Sequence, residues 1–377
     1  MRALHLLKTA VGAAWALRQM RQLVELGVEV HVALPDGPLV PQYRAAGIAV
    51  HLDQFDLPLR RPQSWPGVFA RLRALADSVQ PDVIHSHFVG TTLTMRLALG
   101  RSHSVPRLFQ VPGPLHLEHP FFRRAEIASA GPPDSWVGSC RWTCDRYLRS
   151  GIAPGRVFLS YYGLDTDSFV PAASGALRAE LGLTPEQRIA GMVAYMYAPK
   201  RYLGQSRGLK GHEDLIDALA LVRQQRPEVI GVFVGGAWNN ATAYEQRVRA
   251  YAQERLGGAA VFLGTRHDVA ALYADFDVVA HPSHSENVGG AAESLLLAVP
   301  TISTNVGGFP DVVIPGETGW LVPPRSPSHL AAAISAALSD PAHAHELAAR
   351  GQQHVCHLFD VQRTAREIHD IYAAMRL

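Results

Sequence analysis

The chain has 377 residues, of which 47% are apolar, a formal net charge of +2 and three cysteines. That length exceeds what a single hydrophobic core usually fills, so two domains are expected. The near-neutral charge balance argues against nucleic acid as a partner. Cys140, Cys144 and Cys356 are too few and too odd in number for a disulfide framework, which fits a reducing cytoplasm.

The opening MRALHLLKTAVGAAWALRQM contains His5 and Lys8, and no long apolar run follows, so it reads as folded protein without an integral membrane segment. RALHLL is a strand and AAWALRQMRQLVELG an amphipathic helix ending at Gly27. VEVHVALP is a second strand, and YRAAG with IAVHLD repeats the unit. WPGVFARLRALADSVQPD and VIHSHF add a helix and a strand. Near YYGLDTDSFVPAASG the pattern is interrupted by Gly163, Pro171 and Gly175. It resumes with RIAGMVAYM, a helix from His212 to about Gln225, VIGVFVGG, AYEQRVRAYAQERLG, AVFLGT, HDVAALYADF, DVVAHPS and a helix after Gly290. The last segment, FDVQRTAREIHDIYAAM, is helical. Repeated βα units imply parallel sheets covered by helices on both faces. The expected architecture is α/β, with two doubly wound, Rossmann-like domains whose strand C-termini face an interdomain cleft.

Four clusters carry chemistry. In HPSHSENVGGAAESLLLAVPTISTNVGG, two acids, Glu286 and Glu293, bracket two glycines at a helix start. Such a start offers free N–H groups and a positive dipole end, and the glycines let a ligand approach the backbone. A nucleotide sugar would use all of this, with a carboxylate for the ribose hydroxyls and another for the sugar. Equally, Glu286 can cap the helix and Glu293 can complement its dipole. The second cluster is MYAPKRYLGQSRGLKGHEDLIDAL, where Lys200, Arg201, Arg207 and Lys210 precede a helix. It can hold a diphosphate, or be an exposed basic loop. Positive charge in this chain is otherwise arginine, and its three lysines, Lys8, Lys200 and Lys210, all lie at strand-to-helix junctions.

The third cluster, KTAVGAAW, has Lys8 and Gly12 in the first such junction. It lacks GxGxxG, which argues against a nicotinamide dehydrogenase. The fourth, QVPGPLHLEHP, carries His116, Glu118 and His119. His85 and His87 in IHSHF share a strand face, and a metal there would need a third histidine nearby. The spacing of Cys140 and Cys144 fits one helix face better than a metal site.

KGHEDLIDAL, VFVGG and VFLGTRHDVAALYADFDVVAHPSHSENVGGAAESLLLAVPTISTNVGGFPDVVIPGETGWLVPP together resemble the retaining glycosyltransferases of family 4, with weaker matches at PDVIHSH, YYGLDTDSFVP and the last helix. The resemblance implies a GT-B fold. Residues 1–171 would form an N-terminal acceptor-binding domain and 172–360 a C-terminal nucleotide-sugar-binding domain, with 361–377 crossing back as a helix. It implies that Glu286 meets the donor sugar, Glu293 the ribose and Lys210 the diphosphate. Backbone amides of Asn287, Val288, Gly289 and Gly290 would hold sugar and phosphate, and Arg266 would fall at the base. Three features depart from the family pattern. Six residues separate the two acids, in an ENVGG turn, where seven are usual. Ala194 and Tyr195 replace the usual Gly-Arg pair, so Arg207 or Lys200 would take the arginine's place. Pro112 stands where histidine is common, so His116 or His119 would take that role.

The expected activity is transfer of a sugar from a nucleoside-diphosphate sugar, UDP-sugar favoured, to an acceptor hydroxyl or amine with retention. The catalytic set is Glu286, Lys210, His116 and Arg207. Gly12 and Lys200 add to donor binding, and His116, Glu118 and His119 bind the acceptor, a small molecule, glycan or lipid-linked sugar. No cofactor, metal or nucleic acid is expected, and the location is cytoplasmic or peripheral to a membrane. A nucleotide-sugar epimerase of the same fold and a non-catalytic nucleotide-sugar binder are the alternatives.

Overall fold

The computed structural model describes residues 1–113, 115–166, 169, 173–201 and 204–376. The chain divides into two compact units, Met1–Asp165 with Phe359–Leu377, and Thr166–Leu358. The junction at 171/172 read from the sequence lies outside the described residues.

The first unit holds strands β1 (Arg2–Leu6), β2 (Glu29–Leu34), β3 (Ala49–Leu52), β4 (Val83–Ser86), β5 (Arg107–Val111), β6 (Asp134–Gly138) and β7 (Val157–Leu159). They form one sheet in the order β3-β2-β1-β4-β5-β6-β7, with every pair parallel. Both faces are covered, so β4, β5 and β6 are buried along their whole length. The amphipathic helix Ala14–Glu25 buries Ala16, Met20 and Leu23. The last helix, Val361–Ala374, belongs to this unit. Its N-cap Asp360 accepts from the Arg363 amide at 2.6 Å, and Ile368, Ile371 and Tyr372 share a core with Met20 and Leu23.

Arg96, Arg107, Glu126 and Asp134 lie wholly inside this unit. Arg96 bonds Glu126 at 2.7 Å and Asp134 at 2.9 Å, Arg107 bonds Asp134 at 2.6 Å, and the Trp136 indole donates to Glu126 at 2.9 Å. Buried charges are tolerable only when paired and hydrogen-bonded in this way.

The second unit holds β8 (Arg188–Val193), β9 (Val229–Val234), β10 (Ala260–Gly264), β11 (Val278–His281), β12 (Thr301–Thr304) and β13 (Trp320–Val322). Their order is β10-β9-β8-β11-β12-β13, again parallel throughout. Val229, Ile230, Val232, Phe233 and Val234 pack with Leu215, Ile216 and Leu219 of helix His212–Val222. In each unit the first strand lies beside the fourth, so strand order reverses next to it, and open α/β sheets bind ligands outside the strand C-termini at that point. Among the described residues no helix is long and apolar enough to cross a membrane. No disulfide joins the three cysteines. Cys140 meets the Thr143 hydroxyl at 3.2 Å and Cys144 the Phe158 carbonyl at 3.2 Å.

Candidate functional site

In the second unit the charged side chains singled out in the sequence collect at the C-terminal ends of β8 and β11. Lys210 ends the long loop after β8. Gly211 follows with φ +74° as the N-cap of helix His212–Val222, and a Cβ there would come within 2.1 Å of the Pro282 carbonyl. Glycine therefore brings the lysine loop against the loop after β11. The Lys210 ammonium meets the Glu286 carboxylate directly, and the Tyr197 ring centroid lies 5.8 Å from the same nitrogen. Burial works against the lysine's charge, but Glu286, Tyr197 and Glu293 outweigh it and raise its pKa, so it stays protonated.

Glu286 is fixed from several sides. Its second oxygen accepts from the Asn287 amide at 3.1 Å, and the Ser283 hydroxyl lies 3.5 Å from the first. Gly307, φ +52°, packs on the Glu286 carbonyl so closely that a Cβ would overlap it, and the Gly308 amide donates to the Asn287 carbonyl at 2.8 Å. This explains the run PTISTNVGG: its glycines clamp the turn that carries Glu286.

Helix Gly289–Leu296 starts immediately after that turn, with Val288 as its N-cap and no side-chain cap. Its first amides and dipole end suit an anion. Ala291, Ala292, Ser294 and Leu295 are buried, whereas Glu293 is exposed. The Glu293 charge acts on Lys210, and it adds to the burial that raises the pKa of Tyr273. Glu286, Lys210, Asn287 to Gly290 and Glu293 thus form one group.

Two expected cations are ion-paired within the unit. Arg207 bonds Asp214 at 2.5 Å and Asp217 at 2.8 Å, and Asp217 also takes the Tyr251 hydroxyl at 2.5 Å and Arg255 at 3.3 Å. Its charge is balanced by two carboxylates of helix His212–Val222. Arg266 is likewise held by Glu180 at 2.8 Å and Asp268 at 2.6 Å. Lys200 is in the exposed part of the loop, its amide bonded to Gln205 at 2.8 Å. Tyr202 and Leu203 of that loop lie outside the described residues.

Several residues here escaped sequence reading. Tyr195 and Tyr197 follow β8 and meet Trp238 after β9, with ring centroids 5.1 and 5.6 Å apart. Tyr195 and Trp238 are about two-fifths exposed. Behind the acids, His281 bonds the Ser294 hydroxyl at 3.0 Å and His284 bonds Asp214 at 2.5 Å. The signal for His284 was Asp214, in the helix sequence HEDLIDAL.

In the first unit, Gly12 adopts φ +67° in the exposed loop after β1, and the Lys8 ammonium lies 4.7 Å from the Phe88 ring centroid. After β5, His116 and Glu118 lie on the short helix Leu115–Glu118, and His119 is the N-cap of helix Pro120–Ala128. His116 lies 3.3 Å from the Tyr147 hydroxyl, and burial lowers its pKa to about 4. It is therefore a neutral hydrogen-bonding group near pH 7, not a cation.

Two parallel Rossmann-like sheets with this strand order define the GT-B fold. The family model for glycosyl transferases group 1 matches residues 201–354, and that for glycosyltransferase family 4 matches residues 13–168. The chain belongs to this glycosyltransferase family. It is 27% identical to a D-inositol 3-phosphate glycosyltransferase of Thermobispora bispora, over 93% of this chain and 87% of that one. Solved structures of the same fold include Anabaena HepE in complex with UDP-glucose, at 22% identity and TM-score 0.78, covering 98% of each chain. Another is sucrose-phosphate synthase of Thermosynechococcus elongatus, at 23% identity and TM-score 0.79, covering 99% of this chain and 98% of that one.

Proposed function

We propose that the enzyme moves a sugar from a UDP-sugar to an acceptor hydroxyl or amine with retention at the anomeric carbon. The observation that carries this is the Lys210–Glu286 pair at the mouth of an uncapped helix, with Glu293 one turn inside it. The likeness to a protein solved with UDP-glucose supports the donor class. Lys210 and the first amides of helix Gly289–Leu296 hold the diphosphate, Glu293 accepts from the ribose hydroxyls, and Glu286 accepts from the sugar.

In the reaction the bond from the anomeric carbon to the diphosphate oxygen breaks, and its electron pair stays on that oxygen. The acceptor oxygen or nitrogen bonds the same face of the carbon, and its proton passes to the leaving phosphate. No protein nucleophile enters. Lys210 stabilises the charge that develops on the leaving group, which is the usual origin of large rate effects in such sites. This fixed cation makes a metal unnecessary for the step. His116, Glu118 and His119 of the first unit contact the acceptor, His116 as a neutral partner.

The test is thermal stabilisation of the protein by UDP, GDP, dTDP, ADP and NAD at equal concentration. A ligand at a hundredfold its Kd stabilises the folded state by about 2.7 kcal/mol. UDP should raise the melting temperature, and Glu293→Ala should remove about 1–3 kcal/mol of its affinity. Stabilisation by NAD alone, or by none of the five, would overturn the reading. Altered donor sugar formed without acceptor would identify an epimerase, and binding without turnover under acceptor screening a non-catalytic binder.

A further inference from the structure

At the centre of the first unit, His5 and His85 are register partners on β1 and β4, and His87 follows β4 directly. All three are fully buried, and one ring nitrogen of each lies within 4.8 Å of the other two. The hydroxyls around them determine which nitrogens are available. Tyr162 donates to the Gln110 carbonyl at 3.2 Å, so its proton is committed, and His87 Nδ1 at 3.0 Å must donate to it. His87 Nε2 is therefore a lone pair. His5 Nδ1, at 2.9 Å, donates to it. His5 Nε2 then accepts from the Tyr372 hydroxyl at 3.1 Å, and Tyr372 accepts from His85 Nδ1 at 2.6 Å. The chain of bonds ends on His85 Nε2, a buried nitrogen that meets no donor or acceptor in hydrogen-bonding geometry among the described residues, the Gln110 side chain being its polar neighbour.

We propose that His5, His85 and His87 bind a divalent d-block cation, zinc being the best match, while the Tyr372 and Tyr162 hydroxyls hold the outer ring nitrogens. Two features carry this. Neutral imidazoles are borderline-soft donors suited to zinc and its neighbours. Metal-bound histidines characteristically have the second nitrogen hydrogen-bonded, which orients the ring, and here each outer nitrogen meets a tyrosine hydroxyl.

Binding has a defined structural cost. Zinc–nitrogen bonds of about 2.0–2.1 Å would set the inner nitrogens roughly 3.3 Å apart, so the His5–His87 pair, now at 2.9 Å, must open. The His85 and His87 rings, stacked with centroids 4.2 Å apart, must tilt. His5 must move its proton from Nδ1 to Nε2, where it donates to the Tyr372 oxygen. The bound ion would tie β1 and β4 to the last helix through Tyr372, and so stabilise the first unit without entering the sugar transfer.

The experiment uses the full chain without a histidine tag, stripped with chelator and dialysed against zinc or cobalt(II). Expected are about one ion per chain, a higher melting temperature, and the intense visible absorption of tetrahedral cobalt. Tyr372→Phe should weaken binding about 10–100-fold with unchanged circular dichroism. The double variant His85→Gln/His87→Gln should lose the ion. Zinc content equal in wild type and double variant would overturn the site and leave a hydrogen-bond network only. So would a wild-type melting temperature insensitive to zinc. Should the double variant not fold, the wild-type cobalt spectrum and Tyr372→Phe decide: a weak, octahedral spectrum, or affinity unchanged by Tyr372→Phe, sinks the proposal.

Discussion

The two units share a strand order and differ in what they place where that order reverses. Beside β1 and β4 the first unit buries three neutral imidazoles closed by tyrosine hydroxyls. Beside β8 and β11 the second unit sets a lysine against a carboxylate, with side chains 20% and 14% exposed. The first unit does contain charges, but Arg96, Arg107, Glu126 and Asp134 are sealed among themselves. One topology therefore supports a closed polar core and an open ionic edge, and the side chains, not the sheet, decide which.

The comparison can be broken most forcefully in the first unit. Arg96→Leu leaves Glu126 without its ion pair and Asp134 short of one partner, and should cost about 3–5 kcal/mol of stability. Denaturant unfolding measures this directly. A midpoint equal to that of the wild type would mean that the four charges do not act as a sealed network.

The matching change in the second unit is Lys210→Ala, which should lower kcat/KM about 10²–10³-fold, or about 2.7–4 kcal/mol of transition-state stabilisation. Unlike Arg96, Lys210 is at an edge, so the fold should persist. Equal losses of affinity for uridine and for UDP would show that the lysine does not act on the diphosphate.

A smaller effect sharpens the contrast through pH. Burial lowers the pKa of His281 to about 3 and of His212 to about 4, and Lys210 adds to both shifts, while Glu245 and the Ala194 backbone oppose the shift of His212. Both are depressed below an unfolded value near 6.5, so below that pH the unfolded chain binds protons that the folded chain refuses. Stability should fall with pH from about 6.5 towards 4, by up to about 1.4 kcal/mol per unit for each histidine. Urea midpoints at pH 7.5 and 5 measure the fall, which should shrink in His281→Asn. An identical fall in that variant would remove His281 from the account.

The alternating strands and helices at both ends of the chain were legible because their apolar residues recur with clear periods, as in RALHLL and AAWALRQMRQLVELG. Strands β5 and β6 were not. Arg107 opens one and Asp134 the other, and a charged residue inside a strand hides the pattern until its partner is known. The acids, glycines and Lys210 were legible as a group because they lie in two short runs. The ion pairs of Arg207 were not read, although Asp214 and Asp217 stand three apart on the adjacent helix face. The aromatic group of exposed Tyr195 and Trp238 with half-buried Tyr197 had no periodic signal at all.

What the sequence by itself determined is the order of secondary elements, the two-unit parallel α/β class and the runs that carry acid, glycine and lysine. These depend on residues within a few positions of one another. Only the tertiary structure decided which charges are free, which are sealed and which rings converge. Lys210 and Glu286 are 76 positions apart, His5 and His87 are 82 apart, and Arg96 and Asp134 are 38 apart. Such pairings arise when parallel strands return to neighbouring places in a sheet, and no local pattern encodes that distance.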